Sequence, residues 1–357
     1  MLKPFNPDML SIRRQALGLT HDDVVSRMNN FISQPTYSRI ESGLQKPSQE
    51  QVQVLSKALK VYPSFFSHQF YRRPLPDVFH RKSSKLTSST WEQIFAVAET
   101  YRIFLSLLLS AVKISPSRPT PEFCDLNEYG DIEIIANSIR QLWQLPRGPI
   151  HDITRLIESA GIVVIPFDFG TNDIDGFSQL ATENLPPIIY MNNRLKKDRW
   201  RFTIAHELGH LVMHKKPHPN MEDEAHKFAG AFTMPKDDII HDLYNLSLSH
   251  FQLLKIKWKM SVQSLIMRAA NIQKITERSK RYYMAEITKL WGSRANEPLL
   301  FQDDIEHPRI WSQLIKSHTE KLNFSISEFS QLFGIEEESL PEDFIIKGPK
   351  LRLVVSH

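Results

Sequence analysis

The sequence predicts a mainly α-helical chain of at least two domains: an all-α N-terminal domain, and an α+β domain in which a small sheet packs on a helix. Three observations predict it. Apolar residues recur at helical spacing over most of the chain, and only residues 162–165 and 187–191 read as short buried strands. The second of those strands directly precedes a helix that carries His206-Glu207-Leu208-Gly209-His210. At 357 residues the chain also exceeds what one compact core usually supports. The expected segments are 1–70, an all-α domain; 71–120, a linker and a long helix; 121–245, the domain with the sheet; and 246–357, a helical region packing on it.

Leu10, Ile12, Arg13, Arg14 and Leu17 make a first amphipathic helix, ended by Gly18. Thr20 caps a second, with Val24, Val25 and Met28 on it. Ser33 caps a third, residues 34–41, which Gly43 closes. Pro35 in its first turn costs nothing, because that N–H has no helical partner. Tyr37 and Ile40 fall on the buried face of this helix and leave Gln34, Thr36, Ser38 and Arg39 outward. Basic residues crowd this end (Lys3, Arg13, Arg14, Arg27, Arg39, Lys46, then Arg72, Arg73, Arg81, Lys82 and Lys85), although the formal charge of the whole chain is only +4. Such asymmetry suits contact with phosphates.

Residues 71–90, basic and rich in Ser and Pro, read as a linker. Ile94, Val97, Ala98, Tyr101, Phe104, Leu105 and Leu108 predict one long helix over 91–112. Its most apolar part, 103–112, is half the roughly 20 residues that cross a bilayer, so a buried helix is expected and no membrane. Prolines 116, 119 and 121 stop it. Helices follow at 132–143 and 150–159, the second ended by Gly161. Between the two strands Gly170, Asn172, Asp173, Asp175 and Gly176 read as loop. Helices are expected over 198–214 and 221–232, the latter stopped by Pro235. Residues 253–270 form a helix, a turn and a second helix capped by Ser261, with Leu254, Trp258, Val262, Leu265 and Ile266 suited to packing on a core. Cys124 is the lone cysteine, which rules out an intramolecular disulfide and a site built on paired thiolates. With no basic segment followed by an apolar run at the start, a cytoplasmic location is expected.

Residues four apart on a helix project from one face, so His206 and His210 can offer imidazole nitrogens to one ion. Glu207 lies beside that face, where a carboxylate can reach a water without ligating, as a general base must. Gly209 leaves room for another element to approach. Zinc suits two imidazoles and a carboxylate, so a third protein ligand is required. Met213 and Lys216 stand where a metzincin extension would place Gly and a third His, and His214 cannot converge with two others along one straight helix. The next helix offers Glu222 and Glu224, flanking a buried face set by Ala225, Phe228, Ala229 and Phe232, while Asp223 points away. Periodicity does not choose between the two glutamates.

The stretch from Arg199 to His210, together with Glu224-Ala225-His226-Lys227-Phe228-Ala229-Gly230-Ala231-Phe232-Thr233-Met234-Pro235, resembles the ImmA/IrrE metallopeptidase family. The similarity covers most of residues 125–315, and His226 stands where the family usually has Asn or Asp. The resemblance implies a zincin-like metallopeptidase fold, Zn2+ as cofactor, and Glu224 as the ligand that joins His206 and His210. It further implies hydrolysis of a peptide bond, with Glu207 taking the proton of water and delivering it to the leaving amine. The implied substrate is a protein, such as a helix-turn-helix repressor. Strand 188–191, just before the metal helix, is expected to hold an extended substrate along its edge.

The N-terminal segment resembles the XRE/Cro-type helix-turn-helix family through Leu19-Thr20, Ser38-Arg39-Ile40-Glu41-Ser42-Gly43 and Pro47-Ser48. That resemblance implies DNA binding through residues 1–70, as a homodimer on a palindromic site. Arg39 and Gln34 suit base edges, and Arg13, Arg14 and Lys46 suit phosphates. A competing reading makes the chain a transcriptional regulator or antitoxin-like DNA binder whose metal fold senses or is inactive. The intact Glu207 favours the enzyme, since a relic has no need of it.

Overall fold

The computed structural model describes residues 4–70, 78–80, 86–292, 296–300 and 306–344. They fall into two compact units: residues 4–70 with 86–113 and 312–344, and residues 78–80 with 114–311. Among the described residues no helix is long and apolar enough to cross a membrane.

The first unit begins with α1 (Pro7–Ala16), α2 (His21–Arg27), α3 (Gln34–Glu41) and α4 (Gln49–Leu59). The side chains of Asn6, Thr20, Ser33 and Ser48 cap them in that order, Thr20 and Ser48 in reciprocal capping boxes with Asp23 and Gln51. Asn29 and Asn30, between α2 and α3, hold φ of 52° and 57°, a left-handed conformation that asparagine tolerates better than most residues. Leu10, Val24, Tyr37, Ile40, Leu55 and Leu59 close the core beneath.

Helix α5 (Ser88–Leu109) packs on α1, within this unit. The helix Ile326–Phe333 returns to the same unit, where the Phe333 ring lies 4.1 Å from that of Phe104 on α5. Val61, just after α4, bridges to Ile335. Two expectations are thereby corrected. The long helix is not a separate connector, and residues 312–344 belong to the unit that holds the N-terminal helices. Periodicity told which face of each helix is apolar, but not which partner covers it.

The second unit holds a four-stranded sheet in the order β1-β3-β4-β2, formed by β1 (Val78–His80), β2 (Val163–Phe167), β3 (Gly176–Gln179) and β4 (Ile188–Asn192). β2 pairs parallel with β4, β4 antiparallel with β3, and β3 antiparallel with β1. β1 lies in the stretch expected to be linker and β3 in the stretch expected to be loop. Gly176 is required there because a Cβ would sit 2.7 Å from the Tyr190 carbonyl oxygen. β4 is the strand expected to offer its edge to a substrate, and it has none to offer: both sides are paired.

Around the sheet stand α6 (Leu126–Tyr129), α7 (Ile132–Leu142), α8 (Ile153–Ser159), α9 (Lys197–Met213) and α10 (Met221–Thr233), sharing one apolar core that includes Ile139, Trp143, Ile157, Ile189, Leu208, Phe228 and Phe232. A second cluster joins α11 (Lys236–Ile239), α12 (Leu248–Trp258), α13 (Val262–Asn271) and α14 (Glu277–Trp291) around Trp258 and Met260. Buried polar ties fix α9 at its N-terminal half. Lys255 on α12 reaches Asp198 and Glu297 at 2.6 Å each. Arg201 donates to Glu306 and to the carbonyls of Ile150 and His151. Trp200 Nε1 donates to Thr154 Oγ1 at 2.9 Å.

Candidate metal centre and nucleic-acid interface

Helix α9 is covered on both sides, by the sheet and by α10, so every residue from Thr203 to His210 is buried. Gly209 lets α10 come close: a Cβ there would stand 3.0 Å from Phe228 Cδ1. On the face of α9 turned to this contact, His206 Nε2 and His210 Nε2 lie 3.0 Å apart. The carboxylate of Glu222, on the first turn of α10, meets them at 3.5 Å from His206 Nε2 and 3.6 Å from His210 Nε2. Both Glu222 oxygens are buried and accept no hydrogen bond. A carboxylate stripped of water and given no donor is costly, and a cation held by it and two imidazoles removes that cost. The donor set fits a divalent ion such as zinc.

Here the structure departs from the ligand set that the family resemblance implied. Glu224 lies with a different pair, 3.1 Å from His214 Nε2 and 3.5 Å from His218 Nε2. Two residues along a helix differ by about 200° around its axis, so Glu222 and Glu224 cannot both face the same histidines. Which one does depends on how α10 crosses α9, a tertiary property that no local pattern encodes. His226 stacks edge-on against His206, with centroids 4.4 Å apart, and its Nδ1–H donates to the Glu222 carbonyl.

On the N-terminal unit, Gln34 and Arg39 stand exposed on α3 and Thr36 and Ser38 half-buried on it, while Lys46 is exposed just beyond. Arg13 and Arg14 do something else. The Arg13 side chain is buried and donates to the carbonyls of Leu59 and Lys60, closing the C-terminus of α4. Burial brings its pKa down to about 10, which leaves it charged at neutral pH. Arg14 forks onto Glu41 and also donates to the Leu19 carbonyl. Neither guanidinium is turned to a phosphate, which corrects that expectation: an arginine's long apolar stem lets it occupy an inward position that sequence patterning scores as surface. Lys3, Arg72, Arg73, Arg81, Lys82 and Lys85 lie outside the described residues.

Residues 157–270, from α8 through most of α13, match the peptidase M78 family model described as the IrrE N-terminal-like domain. Residues 10–66 match the family model described as helix-turn-helix. The chain carries an IrrE-like peptidase-family domain behind an XRE-type helix-turn-helix domain. No curated protein matches it.

Within the IrrE-like domain, Glu207 is 2% exposed, with Oε2 2.9 Å from the Ser178 hydroxyl that donates to it from β3. Burial pushes its pKa well up; the Ser178 hydrogen bond pulls it back, and the charges of Glu222 and Asp175 add to the rise. Burial likewise holds His210 well below the ordinary histidine value, so its imidazole is neutral. A neutral imidazole is what a metal requires, and a carboxylate with raised affinity for protons is what a general base requires. Sequence reasoning missed Ser178 and did not single out Glu222. The four residues of β3 are too few to show a period, and Glu222 was visible only as one of two alternatives.

Proposed function

We propose that the chain is a cytoplasmic, zinc-dependent regulatory endopeptidase that cleaves a specific protein, such as a helix-turn-helix repressor, and binds DNA through its N-terminal domain. The observation that carries this reading is the meeting of His206, His210 and Glu222 beside a buried Glu207. The first three would hold the ion. When bound, zinc supplies a Lewis acid that polarises a peptide carbonyl and eases deprotonation of water. Glu207 takes the proton of the attacking water and returns it to the leaving amine. Ser178 holds the Glu207 carboxylate in one orientation, and the burial around it excludes competing solvent.

The helix-turn-helix match supports DNA binding. Gln34, Thr36, Ser38 and Arg39 are the α3 side chains offered to a major groove, with Arg39 and Gln34 as base readers and Lys46 at a phosphate. A homodimer on a palindromic site is the arrangement such a helix favours. The lone cysteine fits a reducing interior.

The deciding experiment compares wild type with Glu207→Gln on candidate repressors encoded nearby, while bound zinc is measured. Glu207→Gln should retain its metal and lose activity by a factor of roughly 100 or more. Equal cleavage by both proteins would refute the peptidase reading.

A further inference from the structure

The metal reading uses one nitrogen of His210 and leaves the other, together with His214 and Glu224, without a role. His210 Nδ1 lies 2.9 Å from His214 Nδ1, and His214 Nε2 lies 3.1 Å from Glu224 Oε2. Both imidazoles are buried, at 0% and 1% exposure. A nitrogen–nitrogen contact of this length has room for one hydrogen: two would set N–H against N–H, and none would oppose two lone pairs. His210 Nε2 faces His206 and Glu222, and it can ligate an ion only when it carries no hydrogen. The hydrogen of neutral His210 is then on Nδ1, which donates to His214 Nδ1. His214 in turn keeps its own hydrogen on Nε2, where the Glu224 carboxylate accepts it. Along the run from His210 Nδ1 through His214 to Glu224, each donor meets an acceptor in this arrangement.

We propose that His214 and Glu224 are positioning residues for His210. Together they form a carboxylate–imidazole–imidazole relay that locks the Nδ1–H tautomer of His210 and presents its bare Nε2 to the ion. The proposal rests on the metal reading above and deepens it. His214, Glu224 and His218 also have the composition of a second cation site. The hydrogen count opposes simultaneous occupancy: an ion on His214 Nε2 would move its hydrogen to Nδ1, directly against the Nδ1–H of His210.

The test uses the full chain. In the zinc-stripped, 15N-labelled protein, two-bond proton–nitrogen correlations should show His210 protonated on Nδ1 and His214 on Nε2. In competition titrations against a chromophoric chelator, wild type should bind one zinc. Glu224→Ala and His214→Phe should each weaken that binding about 10- to 100-fold. Glu224→Gln, whose amide oxygen still accepts, should recover most of the loss, and His218→Ala should change nothing. Thermal melts of the zinc-free variants report whether each retains its fold. His210 protonated on Nε2, or a folded Glu224→Ala that binds zinc as tightly as wild type, overturns the relay. Two ions in wild type, one of them lost in His218→Ala, replaces it with a second cation site. Wild type that binds no zinc removes the relay and the metal reading together, a failure distinct from the others.

Discussion

Ser178 Oγ donates to Glu207 Oε2 at 2.9 Å, joining the middle of β3 to the helix that carries His206 and His210. The hydroxyl opposes the burial and the neighbouring negative charges that raise the proton affinity of Glu207. Ser178→Ala should therefore leave bound zinc unchanged while turnover falls roughly 10- to 100-fold, the worth of a hydrogen bond to a charged group. Parallel measurement of zinc content, kcat and KM checks this. An unchanged kcat would mean that the carboxylate holds its place without the serine.

Gly209 makes the α9–α10 contact thin enough for Glu222 to reach the histidines. In Gly209→Ala the new methyl would meet Phe228 at 3.0 Å from Cδ1 and 3.2 Å from Cγ, and a packed ring has little room to retreat. The expected cost is about 1–3 kcal/mol, partly offset by the better helix propensity of alanine. Zinc affinity should fall with it, because the proposed ligands His206, His210 and Glu222 sit on the two helices being parted. A variant with a higher Tm and intact zinc binding would contradict this account.

Much of this architecture was legible in the chain because local chemistry specified it. Thr20, Ser33 and Ser261 each cap the helix that follows, and Tyr37 and Ile40 are buried as their spacing required. His206 and His210 converge because one helical turn separates them. What escaped was set by tertiary arrangement. The choice of Glu222 over Glu224 follows the crossing of two helices, and the inward turn of Arg13 follows from an open helix end at Leu59 and Lys60. β1 and β3 owe their strand character to neighbouring strands rather than to their own few residues.

The two classes of arginine in the N-terminal domain should separate cleanly. Arg13→Ala leaves the Leu59 and Lys60 carbonyls without their charged donor and should cost about 2–3 kcal/mol of stability. Arg39→Ala, at an exposed site, should leave stability within about 0.5 kcal/mol. If Arg39 reads a base, the same change should weaken specific DNA binding at fixed salt by about 1–3 kcal/mol. Thermal melts and gel shifts on the gene's own upstream DNA measure both. Loss of specific binding in Arg13→Ala under conditions where it is fully folded would return Arg13 to the interface.

Glu158, at the end of α8, accepts backbone hydrogen bonds from Arg309 and Ile310 at the start of the helix Ile310–Lys321. Burial nevertheless dominates and raises its pKa from 4.5 to about 7. A carboxyl group whose folded pKa exceeds its unfolded value binds its proton more tightly in the folded state. Its contribution to stability is complete below about pH 4.5 and disappears as the pH rises through about 7. The amount at stake is at most about 3 kcal/mol. Glu158→Gln does not titrate, so the Tm difference between wild type and Glu158→Gln should move against wild type between pH 4.5 and 7 and level off above. Melting curves across that window test it. Parallel pH profiles for the two proteins would show that Glu158 ionises in the folded chain as readily as in the unfolded one.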